Sequence, residues 1–555
     1  MNFFIFIITI SCNLIFSESL TTQESVTSLF GNGERVHATP HITNLIRNGP
    51  DNLSKQQLIK LQSLGMHEEK GEFLINRPQG LDETHLTEHF KLHFTRNNSN
   101  DAVQNIDYVI NMGIIFEEVW DFFSDSMGFD FPPTDLEDTG SYQYDIYIVN
   151  LPIGYFGLTY TSNASIDDAS CSSFIKMRNS YNYPEFVDHT ELDNIRVTAV
   201  HEFFHAIQFG YNCFERLWFM ESTAVWAEDE LYDNINDMYR YMPSWFASIE
   251  KPIDSEDTHM YGSFIYFQYI DEHLGGKETI KNCWEESRKN ADPDQDISFQ
   301  SIDEALKPHG SSFKHSYNNM RIANRVMSND VNASIYRYEE ATDYPVTQPA
   351  IKNKLAYLEN NFEFSLNYSL RPLSTHYYDF YTESPVIIKL LPSNNNQEDF
   401  NFTIIIKHKT ENRWTIKSGK ELNIDPSIGI DYVTIIVSSL NYYDTNFSYT
   451  FNLSDGYEED FIISDPYPNP VFDHNPLKFD LQVISPQNIK IDIFNLLGQN
   501  IISKEHNYFK PSYEIKEWNL KNRNGKKIPD GVYFIKIKGQ RKLELKKFTY
   551  FKFSK

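Results

Sequence analysis

The apolar positions change rhythm along the chain, and the changes mark its parts. MNFFIFIITISCNLIFSES opens with an almost unbroken apolar stretch of about 15 residues that closes on small polar ones. That is the length of a secretory leader and short for a bilayer span, so residues 1–18 are expected to be a signal peptide. Residues 19–88 are mostly polar, with one short helical pattern at LSKQQLIKLQSLG and a break at INRPQG. They read as an N-terminal leader or propeptide-like region, and the pattern does not decide between an inhibitory segment and a mere embellishment. Alternation begins at HFKLHFT, a strand. It gives way to helical spacing in IDYVINMGIIFEEVWDFFSDSMGF, which ends on Gly, and returns in the strand YDIYIVNL. Strand, helix, strand and then a long helix around HEFFHAIQFG describe an α+β domain over 89–335.

From about 345 to 455 the period is two. DFYTESPVIIKLLPS, NFTIIIKHK, DYVTIIVSSL and FSYTFNLS are strands separated by turn residues, and a β-sandwich accessory domain is their natural packing. The acidic SDGYEED introduces a linker over 456–466. A last set of strands, LKFDLQVIS, NIKIDIFNLLGQNI, YEIKEWNL and DGVYFIKIKG, then forms a small immunoglobulin-like β-sandwich over 467–555. In this last segment Lys and Arg outnumber Asp and Glu, whereas the whole chain of 555 residues carries a formal charge of −28. Such an asymmetry marks a separate module. The overall acidity excludes nucleic acid and anionic membrane as partners for the bulk of the molecule, and no stretch after the leader is long and apolar enough to span a bilayer.

Composition adds little chemistry until the cysteines and histidines are placed. Cys12 lies within the leader, in a context that fits a lipidation site poorly. Cys171, Cys213 and Cys283 remain, so at most one disulfide forms within the chain, with its pairing open. In HEFFHAIQFG, His201 and His205 stand four positions apart and so share one helix face, with Glu202 beside the first. Two imidazoles on one face can hold a zinc ion, and the glutamate can take a proton from water bound to it. A catalytic zinc needs a third protein ligand and an open fourth position. Glu221, in WFMESTAVWAEDELYD, lies on what reads as a return helix, and its neighbours Trp218, Phe219, Ala224, Val225 and Trp226 would bury it. A buried carboxylate needs a charge partner, which favours the ligand over an ordinary solvated glutamate. Glu228 and Asp229 are candidate acceptors for the outer ring nitrogens, with surface exposure as the competing reading.

VTAVHEFFHAIQFGYN, WFMESTAVWAED and MYGSFIYFQYIDEHLGG resemble the gluzincin-type secreted bacterial metalloproteases, an uncharacterised family first met in myxobacteria. The likeness covers roughly residues 89–330. It implies a zincin-like catalytic fold with Zn2+ held by His201, His205 and Glu221, and with Glu202 as general base. It also points to Tyr261, or His259 two residues earlier, as donor to a tetrahedral oxyanion; an ordinary packing tyrosine is the alternative. Thermolysin-like relatives carry an Asp four residues after the ligand glutamate, where this chain has Val225. At the other end, DPYPNP, IDIFNLLGQNI and WNLKNRNGKKIPDGVYFIKIKG resemble the type A sorting domain of the type IX secretion system. That resemblance implies the secretion machinery as a partner, and a secreted or surface-attached product whose tail is removed or anchored.

The expected protein is therefore multidomain. A zincin-like α+β catalytic domain is followed by an all-β sandwich and a small β-sandwich sorting module, and the activity is that of a secreted zinc metallopeptidase acting on protein or peptide. Two other readings stay open: a catalytically inactive adhesive surface protein, and a zinc hydrolase of a non-peptide amide.

Overall fold

The computed structural model describes residues 20–31, 37–97, 99–133, 141–161, 169–293, 295–357, 368–382, 385–392, 400–409, 412–426, 429–440, 447–455, 461–472, 475–484, 487–509, 511–539 and 542–552. The expected signal peptide, Cys12 and positions 456–460 of the expected linker lie outside the described residues. The chain divides into two compact units, one made of residues up to 248 together with 252–320, the other of 249–251 together with 321–555.

In the first unit, α1 (Thr22–Leu29), α2 (Ala38–Asn48) and α3 (Lys55–Gln62) precede the hairpin β1 (Met66–Glu69) and β2 (Glu72–Ile75). A five-stranded sheet follows, built from β3 (Glu83–Leu86), β4 (Phe90–Phe94), β5 (Tyr144–Val149), β6 (Gly157–Thr161) and β7 (Ser173–Arg178) in the order β3-β4-β5-β7-β6. β4, β5 and β7 run parallel, while β3 and β6 close the two edges antiparallel to their neighbours. Every residue of β5, β6 and β7 is buried, because both faces of the sheet are covered, and for this reason YDIYIV shows little alternation, its one charged residue, Asp145, being paired with Arg77 and His93. On one face lie α4 (Ile106–Asp121) and α5 (Glu191–Asn212); Phe203 of α5 packs edge-on against Phe90 and Tyr144. On the other, Tyr147, Val149, Leu158, Tyr160 and Phe174 share one core with Val26, Leu29, Ile42, Leu45, Leu61 and Phe73.

The region read as 19–88 packs together with the domain read as 89–335. β3 is an edge strand of the sheet and ends at Leu86, and residues 20–75 bury an apolar core against that sheet. Their polar composition concealed this, since only one side of each short helix is apolar. α2 is the exception, buried from Ala38 through Leu45 although ATPHITNL contains several polar residues.

α5 begins where Thr190 caps the backbone N–H of Asp193, and after a short turn α6 (Leu217–Tyr232) returns beside it. The Cys171–Cys213 disulfide, with Cα atoms 5.9 Å apart, ties the end of α5 to the chain entering β7. Cys283 is buried and free.

The second unit is β-rich. β8 (Asn353–Tyr357), β9 (Tyr368–Leu370), β10 (Thr375–Thr382), β11 (Val386–Pro392), β12 (Phe400–His408), β13 (Trp414–Ser418), β14 (Glu421–Ile424), β15 (Ile430–Ser439) and β16 (Phe447–Asp455) form two sheets, β13-β12-β15-β10-β8 and β14-β11-β16-β9. They enclose a core that includes Tyr378, Ile388, Ile404, Ile435 and Phe451. β17 (Phe461–Ile463), β18 (Val471–Phe472), β19 (Leu477–Val483), β20 (Gln487–Asn495), β21 (Asn500–Tyr508), β22 (Ser512–Trp518), β23 (Gly531–Lys538) and β24 (Leu543–Phe551) form the second pair of sheets, β17-β19-β22 and β18-β24-β23-β20-β21. Phe461–Ile463, read as linker, pairs with β19, and both Phe461 and Ile463 are buried in the C-terminal core.

Candidate metal centre

α5 and α6 run side by side, and their facing sides carry polar groups where a core would carry leucine. His201, Glu202, His205 and Glu221 are each no more than 3% exposed. His201 Nε2 lies 3.2 Å from Glu221 Oε2, and His205 Nε2 lies 3.1 Å from Glu221 Oε1. Trp218 and Trp226 on α6 are fully buried, which gives Glu221 the apolar setting that its neighbours implied.

The outer nitrogens decide what these contacts mean. His201 Nδ1 is 2.6 Å from Glu228 Oε1, and His205 Nδ1 is 2.8 Å from Gln208 Oε1. Gln208 Nε2 donates to the Met220 carbonyl and to Thr223 Oγ1, which fixes its oxygen toward the histidine. Both imidazoles thus donate through Nδ1 and present Nε2 lone pairs to a carboxylate. His201 Nε2, His205 Nε2 and Glu221 Oε2 make no hydrogen bond. Lone pairs gathered around one point repel unless a cation sits between them. In a tetrahedral shell with bonds of roughly 2.0–2.1 Å, neighbouring ligand atoms stand about 3.3 Å apart, close to the separations found here. The donor set therefore fits zinc. With no metal bound the same pocket draws a proton instead: burial works against charge on His201, but the neighbouring carboxylates of Glu221 and Glu228 outweigh it and lift its pKa to about 10. Burial pushes the Glu221 carboxyl upward, and His205 and His201 overcome that to hold it well below the usual carboxylate range. The pocket favours positive charge.

Glu202 Oε2 accepts from Thr39 Oγ1 at 2.8 Å and from Thr159 Oγ1 at 2.7 Å. Thr159 lies on the edge strand β6, held close to α5 because β6 begins at Gly157. A Cβ there would stand 2.7 Å from Thr198 Cγ2 and 3.0 Å from Glu202 Cγ. Tyr261 is buried, with its ring centroid 4.5 Å from that of His37, and His37 is 4.8 Å from His201 by the same measure. His259 instead stacks on Trp245. Of the two carboxylates proposed for the outer nitrogens, Glu228 makes the contact and Asp229 does not take its place.

Sequence reasoning missed Gln208, His37, Thr39 and Thr159. Gln208 left a signal, being one turn after His205 on the same face. Thr39 left none, since it is 163 positions from the glutamate it binds.

Residues 88–305 match the model of a family of unknown function, DUF6055, and residues 466–550 match that of the secretion system C-terminal sorting domain. No curated protein matches the chain. Among solved structures, the chain is similar to PorZ of Porphyromonas gingivalis, a bacterial surface component of the type-IX secretion system, at 13% identity and a TM-score of 0.14, over 26% of this chain and 22% of that one. It is also similar to latent PorU of the same organism at 12% identity and a TM-score of 0.18, over 31% and 18%. For a β-glucuronidase of Parabacteroides merdae the figures are 9% and 0.14, over 30% and 28%. The chain thus spans less than a third of each, and likenesses of this size carry no argument about fold or activity. Among the described residues no helix is long and apolar enough to cross a membrane. The sorting domain at the C-terminus directs the protein through the type IX secretion system to the cell surface or the extracellular space.

Proposed function

We propose that the first unit is a zinc-dependent metallopeptidase of zincin-like fold. The observation that carries this reading is the convergence of His201 Nε2, His205 Nε2 and Glu221 on one buried point, with the outer histidine nitrogens already committed. His201, His205 and Glu221 would hold the ion, and Glu228 and Gln208 would keep the imidazoles in the tautomer and orientation it requires. Bound zinc supplies Lewis acidity, which acidifies a water and polarises a carbonyl. Glu202 takes the proton of the attacking water on its side-chain oxygen and passes it to the leaving amine. Tyr261 would donate a hydrogen bond from its hydroxyl to a developing oxyanion. The protein or peptide substrate would lie along β6, whose outer edge offers backbone groups to an extended chain.

The test is digestion of a peptide library by the secreted protein, with and without chelator, beside Glu202→Gln. Gln keeps the size of the side chain but cannot accept the proton. Zinc content is expected to stay near one per chain, while turnover falls by about 10²- to 10⁴-fold. Undiminished cleavage by Glu202→Gln, or a parent protein that takes up no zinc, would overturn the reading.

A further inference from the structure

The fourth position of this site has a neighbour that the chemistry of peptide hydrolysis does not need. A ring nitrogen of His37 lies within 4.8 Å of the ligand atoms of both His201 and Glu221. It comes from the N-terminal segment, at the residue that caps α2. Two residues later, Thr39 Oγ1 donates to Glu202 and accepts the backbone N–H of Thr159 on the edge strand β6 at 2.9 Å. One turn further along α2, His41 is buried with Nδ1 lacking a hydrogen-bond partner.

We infer that His37 is a fourth protein ligand of the metal, and that residues 37–39 form a plug that closes the site. The inference rests on the three-ligand reading above and adds to it. Three contacts made by one short stretch cover the three functions a working site must leave open. His37 stands beside His201 and Glu221, where it would compete with water for the ion. Thr39 occupies the general base. The same hydroxyl takes a strand-edge N–H that an extended substrate would otherwise pair with. A zinc with four protein ligands is closed and structural; one with three is open and catalytic. The plug is held by packing, since α2 is buried through Leu45 against the sheet. His37 itself is only half-buried, and its Nε2 pairs with the Tyr241 hydroxyl, so it can leave the ion without breaking that core.

The test uses the full chain loaded with Co2+, whose visible and near-ultraviolet absorption reports its ligands. With His37→Cys, a thiolate placed at residue 37 is expected to add a sulfur-to-cobalt charge-transfer band. The parent spectrum is expected to be insensitive to acetohydroxamate. His37→Ala should still bind one cobalt per chain through the other three ligands, and should respond to the hydroxamate at least tenfold more strongly than the parent. His37→Gln, closer to histidine in size, controls for packing and is expected to follow Ala. A cobalt-loaded His37→Cys protein with no charge-transfer band would overturn the inference and leave the three-ligand site standing. So would a parent as responsive to hydroxamate as His37→Ala. A parent that binds no cobalt would instead overturn the metal site itself, and this inference with it.

Discussion

Glu221 in the first unit and Asp480 in the second are both carboxylates sunk in apolar surroundings, 1% and 3% exposed, and they differ in what meets their oxygens. Asp480 Oδ1 accepts from Arg413 Nη1 at 2.7 Å and from the Tyr467 hydroxyl at 3.1 Å. Its Oδ2 accepts from Thr415 Oγ1 at 3.1 Å, and its backbone N–H reaches Ser464 Oγ at 2.8 Å. Its charge is balanced and its lone pairs are used by the protein alone. Around Glu221 the nearest polar atoms are lone pairs on two histidines whose protons point elsewhere. Burial of charge is therefore no mark of a site by itself. The mark is a buried cluster whose hydrogen-bonding sum does not close without an added cation. The Asp480 cluster joins β13 of the sandwich to β19 of the sorting module, and its completeness suits a structural clasp.

Removing Glu221 should break the comparison most sharply. In Glu221→Ala, zinc affinity measured by competition with a chromophoric chelator is expected to fall by far more than the roughly 10- to 100-fold of an outer-shell change, with the fold retained. Zinc binding unchanged in this variant would equate Glu221 with any buried carboxylate. Asp480→Ala comes next, because it leaves Arg413 as a buried, unpaired cation. The second unit should lose about 3–5 kcal/mol in denaturant unfolding, with zinc binding untouched. Smaller still is Glu228→Ala, where only the outer partner of His201 is lost. Roughly 10- to 100-fold of zinc affinity should go, and a loss as large as that of Glu221→Ala would make Glu228 a ligand.

A pH-dependent effect of comparable size concerns Glu215, a buried carboxyl whose partners are mainly hydrogen bonds. Burial lifts its pKa to about 7 against the opposing hydrogen bond from Ser287. Because the folded value lies above the unfolded one, its contribution is fully present below the unfolded pKa. It is lost as pH rises through the window from about 4.5 to about 7, by on the order of 3 kcal/mol. Denaturation of the first unit across that window should show the slope, and Glu215→Gln should flatten it. A slope that survives the substitution would place the titrating group elsewhere.

Much of the site was legible because helices carry their chemistry at fixed spacing. The four-residue interval of His201 and His205 puts both on one face wherever the helix forms, and the turn after Asn212 is short enough to return Glu221 beside them. Glu228 could be proposed for the same reason, lying two turns after Glu221 on α6. Val225 stands where thermolysin-like proteins, which part of the sequence resembles, carry an Asp, and here Glu228 and Gln208 contact the outer histidine nitrogens from other positions. The C-terminal module was legible through its turn and strand residues, although its first strand, Phe461–Ile463, looked like linker because three residues are too few to show a period.

By itself, then, the sequence determined the β-rich second half, the pair of helices and the three residues that converge between them, since each depends on local period and spacing. Only the tertiary structure decided that residues 20–75 belong to the core of the first unit, that Cys171 pairs with Cys213, and that His37 and Thr39 stand beside the histidine and glutamate cluster. These are contacts across long loops, selected by which apolar faces bury each other. No local pattern along a chain encodes which distant face will be its partner.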